Sequence, residues 1–102
     1  MNTSQQHAAL FQALGHPERL HILEILGRGP VCVCELVMMT GKRQAYISQQ
    51  LAALRDAGLV IAKRQGWNVF YQLNDIRLAE LEKMVSDLFS SERPARPKLP
   101  RG

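Results

Sequence analysis

At 102 residues with 46% hydrophobic content, the chain can bury one modest core and is too short for most enzyme pockets. No apolar run approaches the ~20 residues that span a bilayer, and Met1-Asn2-Thr3-Ser4-Gln5-Gln6 lacks the basic start and apolar stretch of a signal peptide. A cytoplasmic protein with no membrane partner is therefore expected. The net charge of +4 is concentrated: within 42–64, Lys42, Arg43, Arg55, Lys63 and Arg64 stand against the single acid Asp56, while the remainder balances. Such a one-signed stretch is the footprint of a polyanion partner.

In chain order, Ser4 to Leu14 places Ala8, Leu10, Phe11 and Leu14 at amphipathic helix spacing. Gly15-His16 interrupts it. Pro17 then suits a first helical position and Glu18 a first turn. Leu20, Ile22, Leu23, Ile25 and Leu26 are apolar almost all round, which predicts a buried central helix ended by Gly27 and Gly29-Pro30. A third helix is expected over about 32–40, with Gly41 as the turn. A fourth runs over about 44–57, with Ala45, Ile47, Leu51 and Leu54 inward and Gly58 as its stop.

Two β-type runs follow, 59–64 and 68–73, joined by the hairpin signal Gln65-Gly66-Trp67. A last helix over about 75–90 carries Leu78, Leu81, Val85 and Leu88, with Asp75 as its N-cap. Residues 91–102 hold Pro94, Pro97 and Pro100 among Arg93, Arg96, Lys98 and Arg101, a basic tail expected to be disordered. The folded domain is thus 1–90. Its order (helix, helix, helix-turn-helix, hairpin, helix) is mainly α with a small β-hairpin wing: a winged helix-turn-helix.

A reading helix needs polar side chains on its outer, N-terminal face to touch base edges in the major groove. Gln44, Tyr46, Ser48, Gln49 and Gln50 fit, and Lys42 and Arg43 at its start suit phosphate or guanine. Lys63 and Arg64 lead into the wing tip and Asn68 leads out, where they can meet the backbone or minor groove. Trp67 either touches DNA there or caps the core; Phe70 and Tyr71 read as packing residues. The expected partner is a double-stranded operator with inverted repeats, bound by a homodimer. The wide apolar stripe of the last helix supports this: Leu78, Leu81, Met84, Val85, Leu88 and Phe89 exceed what a lone edge helix needs. A monomer that folds this stripe and Leu10, Phe11 and Leu14 inward is the alternative.

Cys32 and Cys34 are the only cysteines. In a reducing compartment such a pair reads as ligand-binding or redox-active rather than as a structural staple. Residues two apart on a helix point about 200° away from each other, so the pair can grip one atom only if the start of the third helix is bent or unwound. Ligand binding would then deform the helix that braces the reading helix. No catalytic triad, nucleotide loop or closed metal site accompanies them, so an enzyme is not expected.

Leu14-Gly15-His16-Pro17-Glu18-Arg19-Leu20, Val31-Cys32-Val33-Cys34-Glu35-Leu36, Ile47-Ser48-Gln49-Gln50-Leu51 and Leu54-Arg55-Asp56-Ala57-Gly58-Leu59-Val60 together resemble the ArsR/SmtB transcriptional repressors over about residues 8–90. The resemblance implies a homodimer whose interface pairs the first and last helices (Leu10, Phe11 and Leu14 with Leu78, Leu81, Val85 and Leu88), and repression relieved by an inducer at Cys32 and Cys34. Arsenic-sensing members have a third cysteine where Val37 stands here. Two thiolates suit an organoarsenical with two open valences; As(III) or Sb(III) would need a third sulfur, which a small exogenous thiol could supply. The partner subunit's N-terminal segment could also contribute a donor, His7, favouring zinc. No cofactor is required for folding. The family's site on the last helix is missing, since Asp75-Ile76-Arg77 replaces its Asp-x-His start. The family commonly has Ser or Thr at the position of Arg43 and a His pair at Gln49 and Gln50, so operator preference does not carry over. The alternatives are a repressor answering thiol oxidation or persulfidation at the same cysteines, and a constitutive DNA-binding module whose cysteines merely pack.

Overall fold

A computed structural model describes residues 3–90; the basic tail at 91–102 lies outside them. The elements are α1 (Thr3–Leu14), α2 (Pro17–Leu26), β1 (Val31–Cys32), α3 (Val33–Thr40), α4 (Gln44–Asp56), β2 (Val60–Gln65), β3 (Asn68–Leu73) and α5 (Asp75–Phe89). The five helices and the hairpin fall where the sequence places them. The difference is β1, which adds a third strand and gives an antiparallel sheet of order β1-β3-β2.

Local chemistry explains the boundaries. The ring nitrogen of His16 accepts the N–H of Glu18 at 3.2 Å while Pro17 opens α2, so an orphan donor is satisfied and no donor is wasted at the first position. Gly41 ends α3 in the left-handed conformation, φ 69°, with its N–H donating to the Val37 carbonyl. Gly66, φ 63°, takes the first central position of the two-residue hairpin loop, which Trp67 completes with no positive φ. That pattern of φ signs is the one Gly-X hairpins prefer, because it matches the twist of the flanking strands.

The core forms where α2, α3 and α4 meet the sheet. Ile22, Leu36, Ile47, Leu51, Leu54 and Leu59 are completely buried, and Leu10 of α1 and Met84 of α5 close it from outside. Two inward expectations are corrected. Leu20 is half exposed and Ala45 is exposed as well; the apolar stripes of α2 and α4 follow Ile22/Ile25/Leu26 and Ile47/Leu51/Leu54, which leaves both residues on the far side.

The start of α5 also differs. Its N-cap is Asn74, not Asp75: Asn74 Oδ1 accepts the N–H of Arg77 at 3.4 Å, and its Nδ2 donates to the Gly58 carbonyl at 2.9 Å. A carboxylate could cap but could not donate, so the amide wins by doing both. The Asn74 N–H reaches the Leu59 carbonyl at 2.9 Å, and Arg77 Nε reaches the Ala57 carbonyl at 3.4 Å. The first turn of α5 is therefore bonded to the corner where α4 ends. Asn74→Ala should destabilise the protein by about 1–2 kcal/mol in urea unfolding, whereas Asp75→Ala should stay within about 0.5 kcal/mol.

Candidate nucleic-acid interface and thiol pair

Helix α4 presents one buried and one exposed face. Ile47, Gln50, Leu51 and Leu54 are buried; Gln44, Ala45, Ser48, Gln49, Ala52 and Arg55 are exposed. The helix starts without a side-chain cap: Arg43 makes no capping bond, and Thr40 is occupied, donating to the Leu36 carbonyl at 2.7 Å and accepting from the Lys42 N–H at 3.2 Å. First-turn N–H groups with no side-chain acceptor, flanked by exposed Lys42 and Arg43, form a positive end suited to phosphate.

Gln50 does not belong to this face. It is 8% exposed, and its Oε1 accepts from Arg19 Nε at 2.9 Å while Arg19 Nη1 donates to the Ala13 carbonyl at 3.2 Å. Arg19 thereby clamps the end of α1 to the middle of α4 through Gln50. The signal was in the spacing, since position 50 falls in the stripe set by Ile47, Leu51 and Leu54; its polarity concealed it. Tyr46 sits at the edge, half-buried against the core, its ring centroid 6.5 Å from that of His16.

In the wing, Lys63 pairs with Phe70, Arg64 with Val69 and Gln65 with Asn68. Lys63, Arg64 and Asn68 are exposed, and Trp67 at the tip is 100% exposed, which overturns its reading as a core cap. Tyr71 packs against the core as expected.

The apolar set assigned to a dimer interface divides. Leu10 is 5% exposed and belongs to the chain's own core, a correction to its placement. Leu14, Leu78 and Leu81 are half-buried and pack against that core. Phe11, Val85 and Leu88 are exposed, as are Ile76 and Phe89, which gives α1 and α5 an uncovered apolar surface.

Cys32 and Cys34 are joined as a disulfide, with their Cα atoms 5.4 Å apart. They meet because Cys32, expected inside the third helix, stands before it: α3 begins at Val33. Cys32 lies before the helix, in extended backbone (φ −87°, ψ 166°) as its N-cap, and Cys34 is in the first turn. The pairing of Cys32 with Phe70 across β1 and β3 holds it there, and Glu35 Oε1 accepts the Cys32 N–H at 3.2 Å. The sulfurs thus meet beside an intact helix. Cys34 is exposed and Cys32 half-buried, so the disulfide is within reach of a reductant. His7 lines a groove between α1 and α5 with Glu80, Lys83, Met84, Asp87 and Leu88. Among the described residues no group of three His, Cys, Asp or Glu could hold a metal ion, and no helix is long and apolar enough to cross a membrane.

A helix-turn-helix with an uncapped basic entry, followed by a basic hairpin, defines a winged helix-turn-helix DNA-binding protein. Residues 16–62 match the bacterial regulatory protein, arsR family model. The chain belongs to the ArsR family of transcriptional regulators. It is 39% identical to an HTH-type transcriptional regulator of Methanocaldococcus jannaschii, over 86% of this chain and all of the relative. It is 34% identical to the arsenical resistance operon repressor of Escherichia coli, over 82% of this chain and 73% of that one. A homodimeric winged helix-turn-helix DNA-binding domain from Mycobacterium bovis superposes with a TM-score of 0.67 at 30% identity, over 91% of this chain and 89% of the other. These relatives regulate transcription and are not enzymes.

Gln50→Ala should cost about 1–3 kcal/mol of stability, because it leaves the Arg19 guanidinium short of an acceptor. Gln49→Ala should leave stability within about 0.5 kcal/mol and weaken operator binding. Urea unfolding and fluorescence anisotropy on each variant separate the two effects.

Proposed function

We propose that the protein is a homodimeric repressor released from DNA when a thiophilic ligand of the trivalent arsenic or antimony class binds Cys32 and Cys34. The observation that carries this reading is the convergence of two accessible sulfurs where β1 meets α3. Helix α3 packs on α4, and β1 pairs with β3 of the wing, so one small site touches both DNA-reading parts. A dithiol reductant first opens the disulfide and is itself oxidised; the arsenical then bonds both sulfurs, its two hydroxyl ligands leaving as water with the thiol protons, and fixes the spacing of the pair. The start of α3 must adjust to that spacing, and α4 follows it. A thousandfold loss of DNA affinity requires only ~4 kcal/mol of coupling.

DNA is engaged by Gln44, Ser48 and Gln49 at base edges, by Lys42, Arg43 and the first turn of α4 at phosphates, and by Lys63, Arg64 and Asn68 in the wing. Phe11, Val85 and Leu88 supply exposed apolar area to a second copy, in keeping with the homodimeric relative. The position of Val37, half-buried against the core, leaves only two thiolates, which favours an organoarsenical over a bare As(III) or Sb(III) ion. A second reading has its own support: the pair is disulfide-bonded, so oxidation or persulfidation could throw the same switch. Inert packing is disfavoured by the exposure of Cys34.

Cys32→Ser and Cys34→Ser should each keep operator binding in anisotropy titrations and lose release by phenylarsine oxide. If the variants release normally, the sensor reading is wrong; if only a persulfide donor releases the parent protein, the redox reading replaces it. Replacing Lys63 and Arg64 together with Ala should lower the slope of log affinity against log salt by about 2. An unchanged slope would remove the wing from the DNA contact.

A further inference from the structure

The wing tip carries a side chain that neither the core nor the DNA contacts of α4 use. Trp67 is 100% exposed at the turn between β2 and β3. The two-residue loop needs glycine at its first central position, which Gly66 supplies with φ 63°, and leaves the second open to most residues. Folding therefore does not require an indole there. An indole wholly in water keeps a large apolar surface hydrated, and that surface becomes favourable only when something covers it.

The strand register indicates what covers it. Successive side chains of a strand point to opposite faces. Val60 is buried and its partner Leu73 packs on the core, as does Tyr71 opposite Ala62. That fixes one face of the ribbon as the core side, and Arg64, opposite Val69, continues this face toward the tip. Lys63, opposite Phe70, stands on the other face. The exposed end of the hairpin thus has a cation on each face and the indole at its apex, and no Asp or Glu occurs between Asp56 and Asp75. Two cations on opposite sides of an apolar tip fit a slot with two anionic walls. The minor groove of duplex DNA is such a slot, about 6 Å wide, with a phosphate strand on each side and stacked bases beneath. Two paired strands, ~4.8 Å apart before their side chains are counted, are too broad to enter it; a flat indole is not. A lipid surface is the poorer match, since Gln65, Gly66 and Asn68 give the indole no apolar neighbour to enter with it.

We propose that Trp67 is a wedge: the wing tip enters the minor groove beside the bases read by α4, the indole partly separates one base step, and Lys63 and Arg64 each hold one phosphate strand. This rests on the reading of the protein as a DNA-binding repressor and adds to it a residue that selects sequence by deformability. Apolar side chains inserted from the minor groove unstack a step and bend the duplex toward the major groove. The cost is lowest at TA and CA/TG steps, so Trp67 selects those steps without a hydrogen bond to any base.

The test uses the reduced full chain on a duplex that it enriches from random sequence, probed with potassium permanganate, which attacks thymines that have lost their stacking. TA and CA/TG steps each contain a thymine. The parent should make the thymine of one such step reactive outside the bases read by α4, and Trp67→Phe should keep part of that reactivity. Trp67→Ala should abolish it, weaken binding about tenfold and erase the preference for TA or CA/TG over GC at that step. A neutral side chain releases no counterion, so the slope of log affinity against log salt should stay at the parent's value in Trp67→Ala. Thermal melts by circular dichroism should coincide for the three proteins. No reactive thymine under the parent, or parent-like affinity and reactivity in Trp67→Ala, overturns the wedge and leaves the DNA-binding reading standing. If the parent enriches no duplex, that reading falls and takes the wedge with it. Sedimentation of the parent, but not of Trp67→Ala, with phosphatidylglycerol vesicles while both bind the duplex equally would assign the tip to a lipid surface and overturn the proposal.

Discussion

The two-residue pairing of β1 with β3 is the constraint on which the meeting of Cys32 and Cys34 depends. By holding Val31 opposite Tyr71 and Cys32 opposite Phe70, it keeps Cys32 in extended backbone and makes α3 begin one residue later. Were Cys32 the first residue of the helix, its sulfur and that of Cys34 would point to opposite sides. Because it is the last residue of a strand, the two meet. Glu35 secures the transition from the helix side by accepting the Cys32 N–H. The same short strand joins the thiol pair to the wing, since β3 is also the partner of β2.

The other end of the reading helix is held in a different way. Asn74 and Arg77 bond the first turn of α5 to the carbonyls of Ala57 and Gly58, where α4 finishes. Arg19 and Gln50 fix its middle to the end of α1. The helices with the uncovered apolar surface are thus tied to α4 through short links, α1 through Arg19 of α2 and α5 through the two residues that follow the end of α4. Any second copy docking there would set the orientation of the reading helix along with its own position. The Arg77–Glu80 ion pair, 2.8 Å long but exposed, adds little of its own; the carbonyl contacts do the positioning.

Much of this was legible in the residues. Pro17, Gly41 and Gly66 act through backbone geometry that does not depend on neighbours, and the helix and hairpin limits they imply were found. Strand β1 was not, because two residues show no periodicity and their strand character comes from a partner forty positions away. Gln50 and Leu10 were misassigned for a related reason. Each has the composition of a surface role, polar on a reading helix or apolar on an outer helix, and only Arg19 in one case and the shared core in the other turn them inward. The choice of Asn74 over Asp75 likewise hangs on a carbonyl supplied by Gly58. Local rules were reliable where a residue governs its own backbone and failed where a distant group decides which way a side chain faces.

The position of Trp67 has a practical side. It is the chain's only tryptophan, and in the folded protein its indole stands wholly in water at the hairpin tip. Its emission already reports an aqueous environment before unfolding, so denaturation changes that signal little. Intrinsic fluorescence is consequently a poor gauge of whether this protein is folded and a well-placed optical label for what approaches the wing.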